Sequence, residues 1–176
     1  MQTPAGAATL APTSAPAFLR RTDSPIGQIE LTSDGAAITS LAIEGGRGLP
    51  WGDLPERTAP VLETAVAQLA EYFAGARHNF DLPIAVEGTE FQRAVWLELS
   101  RLPFGSVASY GEIGGATGRA TAGRAVGGAV GANPIPLIVP CHRVLGTNKR
   151  ITGYSAGAGI PTKAWLLDHE GIEHRS

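Results

Sequence analysis

Between Phe18 and Ile43 the apolar residues fall in short runs separated by turn residues. Ile26, Ile29 and Leu31 lie close to Pro25 and Gly27. Ser33-Asp34-Gly35 is a turn signal, and Ile38, Leu41 and Ile43 follow it. That spacing predicts strands. Glu44 to Pro55, with its glycines and prolines, reads as a loop. The period then changes. Val61, Leu62, Ala65, Val66, Leu69 and Phe73 share one stripe, which predicts a helix over Pro60–Phe73 closed by Gly75. Asn79 to Val86 reads as an extended connector. Strands followed by one helix make a small α+β unit.

The helical period returns at Thr89. Phe91, Val95, Trp96 and Leu99 form an apolar face, and Thr89 can cap the helix. Leu102-Pro103-Phe104-Gly105 closes it with a turn. A short helix over Gly111–Thr117, opened by Ser109 or Tyr110, is broken by Gly118, and Thr121 can cap a further helix through Val130. Two short helices joined tightly suggest a helix-turn-helix. Asn133-Pro134 then turns the chain, and Leu137, Ile138 and Val139 predict a short buried strand ended by Pro140. Gly146 to Gly159 is a Gly/Ser-rich loop. Pro161 starts a last helix, with Glu170 near its end and Gly171 as its stop. The division expected is a tail over 1–17, an α+β domain over 18–86 and a mostly helical domain over 87–176.

Composition adds bounds. The 176 residues, 43% of them hydrophobic, suffice for one good core or two small ones. A single cysteine excludes an internal disulfide or a Cys-rich zinc site and argues against secretion. No apolar run approaches the roughly 20 residues of a membrane helix. Met1 to Ala17, rich in Ala, Pro and Thr and without charge, reads as a disordered tail. The net charge of −2 hides a dipole. Acids outnumber bases up to Glu90, whereas no acid stands between Glu112 and Asp168. That interval holds Arg119, Arg124, Arg143, Lys149, Arg150 and Lys163. Such a stretch suits a phosphate backbone, although a solvated basic face would show the same asymmetry. The expectation is a cytoplasmic protein associated with DNA.

The helix after Thr121 reads Thr121-Ala122-Gly123-Arg124-Ala125-Val126-Gly127 and carries no Asn, Gln, Lys or Glu to read base edges. Its small residues would let the backbone approach a narrow groove, with Arg124 filling the gap left by an extruded base. They would equally let it pack on another helix. The chemistry lies further on, in Pro140-Cys141-His142-Arg143-Val144. Cationic neighbours lower a thiol's pKa, so Cys141 reads as a nucleophile. The plainer reading is a small buried hydrophobe. Glu170, at a helix C-terminus where the dipole does not favour it, is either a surface residue or a partner for cationic His142.

Pro140-Cys141-His142-Arg143-Val144 resembles the active-site signature of the O6-alkylguanine-DNA alkyltransferases. The resemblance runs in order through Phe91-Gln92 with Val95-Trp96, Ser109-Tyr110-Gly111-Glu112-Ile113, Arg124-Ala125-Val126-Gly127, Asn133-Pro134, Gly153-Tyr154, and Lys163 with Leu166-Leu167 and His169-Glu170. It implies an α+β protein: a small ribonuclease-H-like first domain and a mostly helical, winged-helix-like alkyltransferase domain. Cys141 would be the alkyl acceptor, His142 its base through a water, and Glu170 the residue that orients His142. Asn133 would brace the turn, and Tyr110 would donate toward N3 of a flipped guanine. Thr121, Ala122, Gly123, Ala125 and Gly127 would face DNA, with Arg124 as the finger. Ser155, Val144, Tyr154, Lys163 and Arg143 would border the substrate.

The resemblance implies no metal or organic cofactor. The partner would be double-stranded DNA carrying O6-alkylguanine. A monomer without membrane attachment is expected, with cooperative assembly on DNA and action on O4-alkylthymine left open. Two features depart from the family pattern, the turn Thr147-Asn148-Lys149-Arg150 and a loop from Tyr154 to Lys163 about two residues longer than usual. Both are expected to border the pocket. Two rivals remain at this level: a cysteine hydrolase using Cys141 and His142, and a DNA-binding module whose cysteine is only structural.

Overall fold

The computed structural model describes residues 14–119 and 123–176. Strands β1 (Phe18–Thr22), β2 (Ile29–Ser33) and β3 (Ile38–Ile43) form an antiparallel sheet in that order. The central strand β2 is buried along its whole length. Ile29 and Leu31 feed the hydrophobic core. The alternate residues are polar and are satisfied locally. Glu30 pairs with Arg21 at 3.1 Å and accepts from Trp51 N at 2.9 Å, while the Thr32 hydroxyl meets those of Thr39 and Ser40. Buried polar groups are tolerated on those terms.

Helix α1 (Pro60–Phe73) begins on its proline, as expected. Its buried face is Leu62, Ala65, Gln68, Leu69 and Tyr72, rotated from the purely apolar stripe, and Phe73 sits only at the edge. The rotation is bought by hydrogen bonds. Gln68 donates to Asp81 O at 3.0 Å and accepts from Asp81 N at 2.9 Å, and the Tyr72 hydroxyl reaches Glu170.

In the second half, α2 (Glu90–Ser100) and α3 (Tyr110–Ala116) each open on a capping box, Thr89 with Gln92 and Ser109 with Glu112. They pack with α4 (Gly123–Gly131) around Val95, Trp96, Leu99, Ile113, Val126 and Ala129. The Trp96 indole N–H ties α2 to α4 by donating to Ala129 O at 2.8 Å. Two short strands, β4 (Ala108–Ser109) and β5 (Val144–Leu145), pair in parallel with Ala108 opposite Val144. Helix α5 (Ile160–His169) closes the fold.

The two halves share one core. Ile135, Leu137 and Leu166 pack with Ile29, Leu31, Leu62 and Leu69, and Leu41 N donates to Pro134 O at 2.9 Å. The strand expected over Leu137–Val139 does not form. Pro134, Pro136 and Pro140 remove the donors that a ladder needs. The segment is instead a buried loop in which Val139 N donates to Ile135 O at 2.9 Å and Leu137 adopts φ 74. A left-handed leucine costs about 1–3 kcal/mol, and burial of Leu137 in the shared core holds it there.

Candidate active site

Cys141 begins a single 3-10 turn, Cys141–Arg143, that leads directly into β5. Asn133 fixes the loop before it from both sides. Its side chain donates to Val139 O at 2.8 Å and accepts from Ile135 N at 3.0 Å. The β4–β5 register then sets Tyr110, the residue after Ser109, beside this turn. The result is a cavity of about 380 Å³, within the range of small-ligand sites. Cys141, Tyr154 and Lys163 line it together with Tyr110 and Thr152, and Gly153 and Ser155 contribute from the loop. The remaining wall is α4, through Gly123, Gly127 and Gly131 at four-residue spacing and Val130. At those three glycines a Cβ would meet nothing within 4 Å, so side chains there would project into open space.

Behind the cysteine lies a buried ionic cluster. His142 is 0% exposed and its Nε2 contacts Glu170 Oε2. The Tyr72 hydroxyl donates to the same oxygen at 2.8 Å. Glu170 Oε1 accepts from Arg143 Nε at 2.7 Å and from Gly105 N at 3.1 Å. Burial alone would raise the Glu170 pKa. The hydrogen bond and charge of His142, then those of Arg143, overrule it and hold the carboxyl at about 2. The carboxylate is therefore ionised and must accept, so His142 carries its proton on Nε2. Burial keeps the imidazole below its usual pKa and hence neutral near pH 7. Its Nδ1 is buried and has no hydrogen-bond partner among the described residues.

The thiol differs from the sequence expectation. Burial pushes Cys141 above its ordinary pKa, against the opposing pull of Asn133, Lys163 and Tyr154. The adjacent cations do not lower it because His142 is neutral and Arg143 is spent on Glu170 and on Leu102 O at 2.7 Å. The nearby positive charge comes from Lys163. Its Nζ donates to Val144 O at 2.6 Å and Gly153 O at 3.2 Å, and burial lowers its pKa to about 8.

The structure brings together most of the residues named from sequence. Cys141, Tyr110, Tyr154, Ser155, Lys163, Gly123 and Gly127 line one cavity, while His142, Glu170 and Asn133 stand behind it. Arg143 and Val144 do not line it. Both are buried, Arg143 as the partner of Glu170 and Val144 in the core with only its carbonyl used, by Lys163. Arg124 and Ala125 are exposed on the first turn of α4. Thr121 and Ala122 lie outside the described residues. No residue of the Thr147–Arg150 turn lines the cavity, although Thr152 just beyond it does, and the longer loop supplies Tyr154 and Ser155. Sequence reasoning missed Tyr72 and Thr152. A tyrosine within a helix stripe looks like packing, and Thr152, whose hydroxyl is 3.3 Å from that of Tyr110, sits in a loop without a motif.

Comparison with known proteins accounts for both halves. Residues 19–86 match the family model "6-O-methylguanine DNA methyltransferase, ribonuclease-like domain", and residues 90–172 match "6-O-methylguanine DNA methyltransferase, DNA binding domain". The chain is 40% identical over 157 residues to the constitutive methylated-DNA–protein-cysteine methyltransferase of Bacillus subtilis, covering 87% of this chain and 94% of that protein. It is 44% identical over 156 residues to the methylated-DNA–protein-cysteine methyltransferase of Mycobacterium bovis, covering 86% and 90%. A crystal structure of Mycobacterium tuberculosis O6-methylguanine methyltransferase superposes with a TM-score of 0.78 at 41% identity, covering 87% of this chain and 92% of that one. That of Mycobacterium tuberculosis OGT in complex with DNA gives 0.77 at 42% identity, covering 86% and 91%. With both of its halves matched in order and relatives at this identity covered almost end to end, the chain belongs to the 6-O-methylguanine DNA methyltransferase family.

Proposed function

We propose that this chain repairs DNA by taking the alkyl group from O6-alkylguanine onto Cys141, once and irreversibly. The observation that carries the reading is the sulfur at the lining of a cavity whose wall is the glycine face of α4, with Arg124 exposed at the end of that helix. A duplex laid along α4 would swing its damaged base past the glycines to the sulfur, and Arg124 would fill the gap in the stack. The relatives named above carry methylated DNA in their names, and one was solved with DNA bound.

The chemistry follows from the protonation states. Burial keeps the resting thiol protonated near neutral pH, so attack needs a base. His142, neutral and with Nδ1 free to accept, takes the thiol proton through a water. The sulfur bonds to the alkyl carbon as the carbon–O6 bond breaks, and O6 keeps the electron pair. Tyr110 passes a proton toward N3, so guanine leaves neutral. Lys163 steadies the thiolate through its charge. The thioether has no easy return path and no second thiol stands by, so each molecule acts once. Ser155 and Tyr154 at the cavity contact the guanine edge. The protein works as a monomer. Incubation with excess duplex carrying one O6-methylguanine should remove one lesion per protein molecule and then stop. Continued turnover would refute the reading.

A further inference from the structure

We propose that Tyr72, on α1 of the first half, is a positioning residue for the His142–Glu170 pair, its hydroxyl fixing the carboxylate oxygen that receives the imidazole N–H. The inference rests on the reading that His142 serves Cys141 as a base.

The two oxygens of Glu170 have separate partners. Oε1 is held by Arg143 and the Gly105 N–H, while among the described residues Oε2 receives only His142 and Tyr72. Tyr72 is 1% exposed. A phenylalanine would fill the same space, whereas a hydroxyl taken out of water needs a partner to offset its desolvation. The ring is held on several sides, with Phe73, Phe80 and His169 at centroid distances of 5.2, 5.5 and 5.1 Å. The backbone is held as well, since His169 Nε2 lies 2.8 Å from Tyr72 O. Successive residues, His169 and Glu170, thus grip one tyrosine of the opposite half. The donor sits on a rigid support, which positioning requires.

The hydroxyl shares the negative charge of Oε2. Without it that charge falls on the imidazole alone, which favours the imidazolium and leaves the ring less firmly aimed. The other titratable or charged groups facing the pair are Arg143 on the same turn, Lys163 of α5, and Cys141 and Tyr154 at the cavity, with His169 beyond the Tyr72 ring. None of these contacts Oε2 in place of the tyrosine.

The test is the pH profile of single-turnover methyl uptake from a duplex with one O6-methylguanine. Protonated His142 cannot act as a base, so the rate falls on the acid side. In Tyr72→Phe this limb should move to higher pH by about half a unit to one unit, and the plateau rate should drop about threefold. Val66→Ala, on the same helix and away from Glu170, serves as a packing control and should keep the wild-type profile. Replacing Tyr72 with 3-fluorotyrosine, similar in size but a stronger donor, should move the limb the other way and keeps the test available should Tyr72→Phe not fold. Coincident profiles, or an equal shift in Val66→Ala, would overturn the inference. If methyl uptake by the wild type is absent or survives Cys141→Ser, the underlying reading fails instead.

Discussion

Glu170→Gln is the sharpest perturbation of the buried cluster. The carboxylate accepts from four donors: Tyr72 and His142 on one oxygen, Arg143 and Gly105 on the other. A glutamine keeps the shape but has one acceptor oxygen and one NH2 group. Turning the NH2 toward Arg143 and Gly105 would set donors against donors and leave a buried guanidinium unpaired. The amide will therefore face its NH2 to His142, which can answer only by moving its proton to Nδ1 and accepting at Nε2. The atom that should receive the thiol proton is then already protonated. Misplacing a tautomer in this way costs a rate on the order of 10³-fold or more. Loss of the buried charge pair costs about 3–5 kcal/mol, which in a protein of this size lowers the melting temperature by about 10 °C. The pH dependence gives an internal check. Glu170 is held at about 2, below its usual 4.5, so its contribution is full above pH 4.5 and fades as pH falls toward 2. The gap between wild type and variant should narrow by about 3 kcal/mol over that window. Denaturant unfolding across pH and rapid-quench methyl uptake measure both effects. A variant within about 1 kcal/mol of wild type at pH 7, or one that takes methyl at the normal rate, would refute the reasoning.

Two further outcomes follow from the geometry. A Cβ on Gly45 would lie 2.0 Å from the carbonyl oxygen of Gly157, in the loop that carries Tyr154 and Ser155. Gly45→Ala should therefore cost about 1–3 kcal/mol of stability and change the ratio of benzyl to methyl transfer; an unchanged ratio and melting temperature would contradict it. Arg124→Ala should slow repair of duplex DNA by 10-fold or more, on the order of the energy of unstacking a base, and leave reaction with the free modified base near normal. Equal losses on the two substrates would dismiss the finger role.

What the sequence disclosed depended on how local the signal was. The Thr89 cap, the proline start of α1 and the strand around Ile29 and Leu31 are set by neighbouring residues and are legible in the sequence, whereas the choice between Ser109 and Tyr110 as the opening of α3 is decided only by the capping box on Ser109. The Pro140–Val144 motif located the cysteine and its histidine. The loop over Leu137–Val139 was misread because apolar content alone suggested a strand, whereas prolines and a left-handed leucine decide its path. Thiol electrostatics were misread for a related reason. Adjacency in sequence put two cations beside Cys141, yet Glu170, 27 residues beyond Arg143, takes that cation away. Tyr72 was invisible for the same reason, since its partner lies 98 residues off.

The central claim is a covalent bond between one sulfur and the alkyl carbon of a damaged base. Peptide mapping by mass spectrometry after reaction with duplex containing isotopically labelled O6-methylguanine tests it most directly. The label should appear on Cys141 alone, at one methyl per chain, and should vanish in Cys141→Ser. Label on any other residue, or repaired guanine without label on Cys141, would contradict the account.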